Sequence, residues 1–290
     1  MRQMHPGQRS GSLQATLILI MSSNAAVVVA AGDSKQTQHI EQTSREAKEL
    51  IKNCQFRTAD ASAVVFQRQP EPILRWSNPT AGEVYGDIFL YTHRGRPACL
   101  ASYYHWFSPD WGRTLEVHSL HGNRIVGRAN EVQFWTPMSA GLTYDAIKNA
   151  EKPAISPAAR LVQMRRLADE FTVQLEDTRS NAAGVKRSLR RLTQPIFRFP
   201  APSAEADYLD GALFAFVEGT DPELLLFLDA VPAKDTSIWR FGIARLNGDH
   251  IRVTRNDQMV WEAPHLMTPY EQPRDVYTTF SVNAPLKAVP

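Results

Sequence analysis

Gly86-Asp87-Ile88-Phe89-Leu90-Tyr91 and, further along the chain, Gly211-Ala212-Leu213-Phe214-Ala215-Phe216 are the stretches on which the fold turns. Each begins on glycine and runs straight into a strand-like apolar pattern. The same correspondence recurs on both sides. Upstream, Glu71-Pro72-Ile73-Leu74-Arg75-Trp76 resembles Gln194-Pro195-Ile196-Phe197-Arg198-Phe199. Downstream, Leu120-His121-Gly122-Asn123 matches Leu246-Asn247-Gly248-Asp249, and Trp135-Thr136-Pro137 matches Trp261-Glu262-Ala263-Pro264. The offset drifts only from 123 to 126 residues. Ordered matches across four segments point to an internal duplication, and a repeat of that kind dictates architecture.

Local signals fill in each copy. Residues 41–54, with Ile40, Ala47, Leu50 and Ile51 on one stripe, predict a helix. Ser156-Pro157 predicts the start of another, with serine at the N-cap and proline in the first turn. Leu161, Met164, Leu167 and Ala168 supply its apolar stripe. Residues 84–93 and 97–106 read as strands joined at Arg94-Gly95, and 113–121 and 124–128 as strands joined at Gly122-Asn123. Asn247-Gly248 and Asn256-Asp257 read as hairpin turns in the second copy, because these residues tolerate positive φ. Short connections imply antiparallel pairing. The expected class is therefore α+β: a tandem duplication of a helix-plus-antiparallel β-meander unit with pseudo-twofold symmetry. The expected divisions are a signal peptide at 1–31, a first repeat at 32–137, a linker at 138–156, a second repeat at 157–264 and a Pro-rich C-terminal tail at 265–290. Within that tail, Val276–Val282 is expected to add an edge strand.

The N-terminus carries Arg2 and Arg9, then the apolar runs Leu13–Met21 and Ala25–Ala31, ending on small residues at Val29-Ala30-Ala31. That order predicts a secretory signal peptide. Ser22-Ser23-Asn24 interrupts the apolar stretch, so no stable membrane span is expected after cleavage. The implied location is exported: periplasmic, cell-surface or extracellular. Removing residues 1–31 leaves 30 basic and 30 acidic side chains. A neutral chain argues against a nucleic-acid partner, which calls for positive excess. Cys54 and Cys99 are the only cysteines; they could pair in an oxidising compartment, but two buried thiols are the favoured reading.

Where the copies differ, function could have diverged. Leu224-Leu225-Leu226-Phe227-Leu228 is apolar on both faces and predicts a covered central strand. The first copy instead has Cys99-Leu100-Ala101-Ser102-Tyr103, followed by Tyr104, His105, Trp106 and Phe107. It also holds four histidines within 29 residues, His93, His105, His118 and His121, none matched by a histidine in the second copy. Most simply, each histidine is satisfied locally. A second reading is a polar and aromatic pocket for a small ligand or glycan, formed by Tyr91, His93, Tyr103, His105, Trp106 and Trp111. A weaker alternative is a metal site of His93, His105 and His118.

No Gly-x-Ser-x-Gly, Cys-x-x-Cys, P-loop, dinucleotide or His-Glu-x-x-His motif occurs, and no cofactor is expected. The run Asp210-Gly211-Ala212-Leu213-Phe214-Ala215-Phe216-Val217-Glu218-Gly219-Thr220-Asp221-Pro222-Glu223-Leu224-Leu225-Leu226 is similar to a signature of uncharacterised exported proteins in planctomycete bacteria. The likeness covers mainly residues 190–264. It implies a bacterial exported setting and transfers no catalytic residue. The expected function is a non-enzymatic two-repeat scaffold or binding module, whose partner is a small molecule, glycan or protein. The alternative is a hydrolase or metal-dependent enzyme centred on the first-copy histidines.

Overall fold

The computed structural model describes residues 25–177, 184–203, 206–234, 236–266 and 272–289. The chain separates into two compact units, Met1–Gln38 and His39–Pro290. Residues 1–24, most of the expected signal peptide, lie outside the described residues. Among the described residues, no helix is long and apolar enough to cross a membrane.

The helices are α1 (Ala25–Lys52) and α2 (Pro157–Ala168). The first strands are β1 (Cys54–Thr58), β2 (Gln67–Arg68), β3 (Leu74–Ser77), β4 (Glu83–His93), β5 (Arg96–Ser108), β6 (Gly112–Ser119), β7 (Ile125–Ala129), β8 (Val132–Trp135) and β9 (Asp145–Ala146). After α2 come β10 (Phe171–Glu176), β11 (Lys186–Ser188), β12 (Arg190–Arg191), β13 (Phe197–Arg198), β14 (Asp210–Glu218) and β15 (Asp221–Ala233). The last are β16 (Thr236–Arg245), β17 (His250–Arg255), β18 (Gln258–Ala263) and β19 (Tyr277–Ser281).

The class is all-β, which corrects the α+β expectation: strands take 48% of the chain and helices 13%. The helix-plus-meander unit expected twice is not what the strands build. The strands on either side of Gly122-Asn123 belong to different sheets, β6 with β5 and β19, β7 with β1 and β8. Likewise β16 joins β15 and β9, whereas β17 joins β10 and β18. The turns at Gly122-Asn123 and Asn247-Gly248 are therefore corners between sheets, not hairpins. Gly122 does not adopt the positive φ that a tight two-residue hairpin requires. True hairpins form where that geometry exists, at Arg94 (φ 51°) and Gly95 (φ 80°) between β4 and β5, and at Asn256 and Asp257 between β17 and β18.

The result is two six-stranded sheets, β19-β6-β5-β4-β2 with β3 and β12-β14-β15-β16-β9 with β13, plus sheets of three (β1-β7-β8) and four (β11-β10-β17-β18) strands. Side-chain alternation distributes their residues among three cores. Ile88, Leu90 and Leu100 share one core with Leu213, Ala215, Leu225 and Phe227, so the two large sheets pack face to face. The intervening Phe89 and Tyr91 point the other way, onto Ala47 and Ile51 of α1, Phe56 of β1 and Trp135 of β8. Phe214, Leu224, Leu226 and Leu228 meet Met164 and Leu167 of α2 and Val173 and Ile251. Each large sheet is thus covered on both faces.

α2 starts as predicted: the Ser156 hydroxyl accepts from the Ala159 amide, with proline in the first turn. Residues 138–156 do not hang free, since Leu142 and Ile147 are buried and β9 pairs with β16. β19 extends the first large sheet beside β6, in agreement with the edge strand read at 276–282. Between the large sheets, Arg96 of β5 and Arg240 of β16 both pair with the fully buried Asp229 of β15, and both guanidinium groups lie 4.8 Å from the Tyr144 ring. Cys54 and Cys99 are both buried and free.

Glycine at the head of each deciding stretch has a steric cause. A Cβ on Gly86 would lie 2.3 Å from Cε2 of Trp76, and one on Gly211 would lie 2.1 Å from Cε2 of Phe199. In each place an aromatic ring lies directly on the strand backbone.

Candidate functional site

Two faces of β5 lead to two different environments. Tyr103 belongs to the core under α1, while Tyr104 and Trp106 pack against the core between the large sheets. β6 divides in the same way: Leu115 and Val117 are packed beneath α1, and Glu116 and His118 take the opposite face.

Of the six residues read as ligand-binding, four are held on structural duty. The Tyr91 hydroxyl contacts the carbonyls of Ile51 and Cys54 within a packed core. Tyr103 donates to Glu46 Oε2 of α1 at 2.7 Å, and His105 Nδ1 lies 2.9 Å from the same oxygen. Burial raises the Glu46 pKa, yet hydrogen bonds from Tyr103, Gln42 and His105 hold it below the usual value. This cluster fastens α1 to β5. His93 Nδ1 lies 3.1 Å from His121 Nε2, with Phe66 stacked alongside.

His118 is buried, and its Nδ1–H donates to the Ser119 carbonyl at 2.7 Å. Burial pushes its pKa down to about 4, so the ring is neutral. His93, His105 and His118 therefore engage separate partners and do not converge on a common point, which removes the geometric basis of the metal alternative. Among the described residues, no three His, Cys, Asp or Glu side chains are grouped to hold a metal ion.

The remaining two, Trp106 and Trp111, open onto a cleft of about 400 Å³. This volume lies within the range of roughly 300–1,000 Å³ typical of small-molecule sites. Trp76, Tyr104, Trp106, Trp111 and Tyr277 form its aromatic walls. The Trp106 and Trp111 centroids are 4.5 Å apart, and Trp76 and Tyr104 are 5.6 Å apart. Trp111 is 63% exposed, at the mouth. Glu116, Glu218, Asp221, Glu223 and Asp249 line the same cleft, together with Arg187. The cleft thus draws on β3, β5, β6 and β19 on one side and β14, β15 and the β16–β17 corner on the other.

The carboxyls are unusual in their electrostatics. Burial pushes Glu116 up to about 8, against a hydrogen bond of 2.7 Å donated by the Tyr277 hydroxyl; the Glu223 charge adds to the rise. Burial also pushes Glu223 up to about 7, although the Asn247 amide donates to it. Asp221 is raised well above the carboxylate range by burial and by its neighbours Glu223 and Glu116, although Asn78 donates to it at 3.2 Å. The nearby Arg187 is engaged with Asp177 at 3.2 Å and Glu218 at 2.6 Å.

No family model, curated protein or solved structure matches the chain.

Sequence reasoning missed Trp76, Glu116, Asp221, Glu223 and Tyr277. Asp221-Pro222 reads as a turn, and Glu116 sits in an alternating strand whose polar residues look solvent-facing. The available signal was Glu223 at the head of an otherwise apolar strand, where an acid has no water to face.

Proposed function

We propose that this is an exported binding module whose ligand, a small molecule or glycan, occupies the cleft between the two large sheets. One observation carries the reading: aromatic walls and hydrogen-bonding carboxyls line a single concavity of suitable size. Flat rings offer apolar area with low conformational cost, and the polar groups fix orientation. The exported setting is supported by the basic start, apolar runs and small residues of the N-terminal sequence.

Thermal-shift screening with a panel of mono- and oligosaccharides and small amines tests it, because a ligand that binds only the folded state raises Tm. Trp111→Ala removes an exposed wall at little structural risk and should weaken any hit by about tenfold. A panel with no stabilising compound would overturn the reading.

One observation also favours hydrolysis of a glycoside. Glu116 keeps its proton near neutrality beside other carboxyls, as a general acid must. Release of reducing sugar from unactivated oligosaccharides, abolished in Glu116→Gln, would establish that second reading. Absence of release across the panel at mildly acidic and neutral pH would remove it.

A further inference from the structure

Resting on the cleft as a ligand site, we propose that the ligand is an amine-bearing saccharide, with its ammonium group seated between the aromatic walls and the carboxyls of Glu116, Asp221 and Glu223.

Charge favours a cationic guest. Among the described residues, none of these three acids is paired with a Lys or Arg. Glu116 receives a hydroxyl from Tyr277, Asp221 an amide from Asn78, and Glu223 an amide from Asn247. All three donors are neutral. The cations close by are already engaged: Arg187 bridges Asp177 and Glu218, and Arg245 donates to the carbonyls of Asn247, Asp249 and Pro264. A cleft that gathers five acids and a single arginine, itself shared with Asp177 and Glu218, is complementary to a positively charged guest.

The aromatic walls favour the same guest. Tryptophan and tyrosine faces attract ammonium groups, most strongly where water is excluded. Here Trp76, Tyr104, Trp106 and Tyr277 line the same cleft as the acids. Neutral polar side chains separate a saccharide from a simple polyamine. Asn78, Thr80, Asn247 and Thr279 also line the cleft. Amide and hydroxyl groups both donate and accept hydrogen bonds. Sugar hydroxyls match both roles; a protonated polyamine offers donors alone.

Binding should therefore be proton-linked. Without ligand, burial and mutual repulsion keep Glu116 and Glu223 partly protonated near pH 7. The titratable and charged groups facing them are Tyr277 from β19, Tyr104 from β5, Glu218 and Asp221, Asp249 from the β16–β17 corner, and Arg187 and Arg245. An arriving ammonium stabilises the ionised carboxyls, so protons leave.

The test is calorimetry on the intact protein at pH 7, in phosphate and in Tris. The probes are the glucosamine disaccharide, its di-N-acetylated form and spermidine. The glucosamine disaccharide should bind at least about tenfold more tightly than the acetylated one. Its heat should differ between buffers by an amount that reports net proton release. Its affinity should rise between about pH 6 and 7 as the carboxyls deprotonate more readily. Glu223→Gln should reduce both the preference and the proton release; the buffer comparison on the unaltered protein stands even if that variant does not fold. Equal binding of the two disaccharides without buffer dependence would overturn the ammonium inference while leaving the cleft as a binding site. Tighter binding of spermidine than of the sugar would overturn the saccharide body. Failure of all three probes would overturn the inference, and a hit elsewhere in the wider panel would then show that the cleft reading survives it.

Discussion

Glu116 and Glu223 hold protons in the folded chain that the unfolded chain has already released. Their contribution to stability is fully present below about pH 4.5 and is lost as pH rises through about 7 and 8. His118 works in the opposite sense. With its folded pKa near 4 against 6.5, it stabilises the fold increasingly up to about pH 6.5 and changes little beyond. Burial also lowers His93 and His121, so they act in the same direction as His118. Above about pH 6.5 the acids therefore dominate. The ligand-free protein should show a falling Tm from about pH 6.5 to 8.5, and Glu116→Gln should flatten that slope. A Tm that climbs through this range would show that the acids are not protonated in the fold. Asp229 makes the opposite case, because its charge is compensated. Asp229→Ala would leave Arg96 and Arg240 unpaired between the large sheets and should cost roughly 3–5 kcal/mol in denaturant unfolding. A loss under about 1 kcal/mol would mean that water reaches the pair.

Elements show where sequence and structure part. The α2 start was legible because its chemistry is local: Ser156 caps the Ala159 amide, and Ser156→Ala should cost about 1 kcal/mol. Arg94-Gly95 was legible for the same reason, since two adjacent positive-φ residues suffice for a tight turn. Gly122-Asn123 was not. Its strands separate because β7 pairs with β1, from Cys54↔Ala129 to Thr58↔Ile125, a choice made by residues far away in the chain. The aromatic half of the cleft was partly legible in Trp106 and Trp111. Its acidic half was not, because Leu115-Glu116-Val117-His118 alternates identically whether its polar face meets water or another sheet. The two glycines can be separated by experiment. Gly86→Ala drives a Cβ into the Trp76 indole and should cost about 1–3 kcal/mol as well as weaken ligand binding. Gly122→Ala meets nothing within 4 Å and should leave Tm close to that of the parent. Equal effects at both positions would contradict the close contact at Gly86.

At the scale of the whole molecule, the expected division at residues 138–156 meets a fold in which residues from both sides share a core. Ile88, Leu90 and Leu100 are buried against Leu213, Leu225 and Phe227. The exchange also runs through the strands, since β19 from the C-terminal end completes the sheet of β4–β6, and β9, which precedes α2, completes the sheet of β14–β16. Cutting between residues 137 and 157 would therefore uncover two apolar sheet faces and remove an edge strand from the first large sheet. Each fully buried leucine or phenylalanine so exposed forfeits roughly 1.5–3 kcal/mol, and several are exposed at once, against a total stability of only about 5–15 kcal/mol for a domain. A fragment of residues 39–137 and one of 157–264 should each fail to give a sharp thermal transition, while the intact chain from residue 39 onward should unfold in a single calorimetric peak. Mixing the fragments should restore part of the structure only if β19 is retained on the second fragment, by extending it to 157–289, because only then does β6 regain its partner. Two independent transitions in the intact chain, or a cooperative transition in either fragment alone, would show that the shared core is a weak contact between self-sufficient halves.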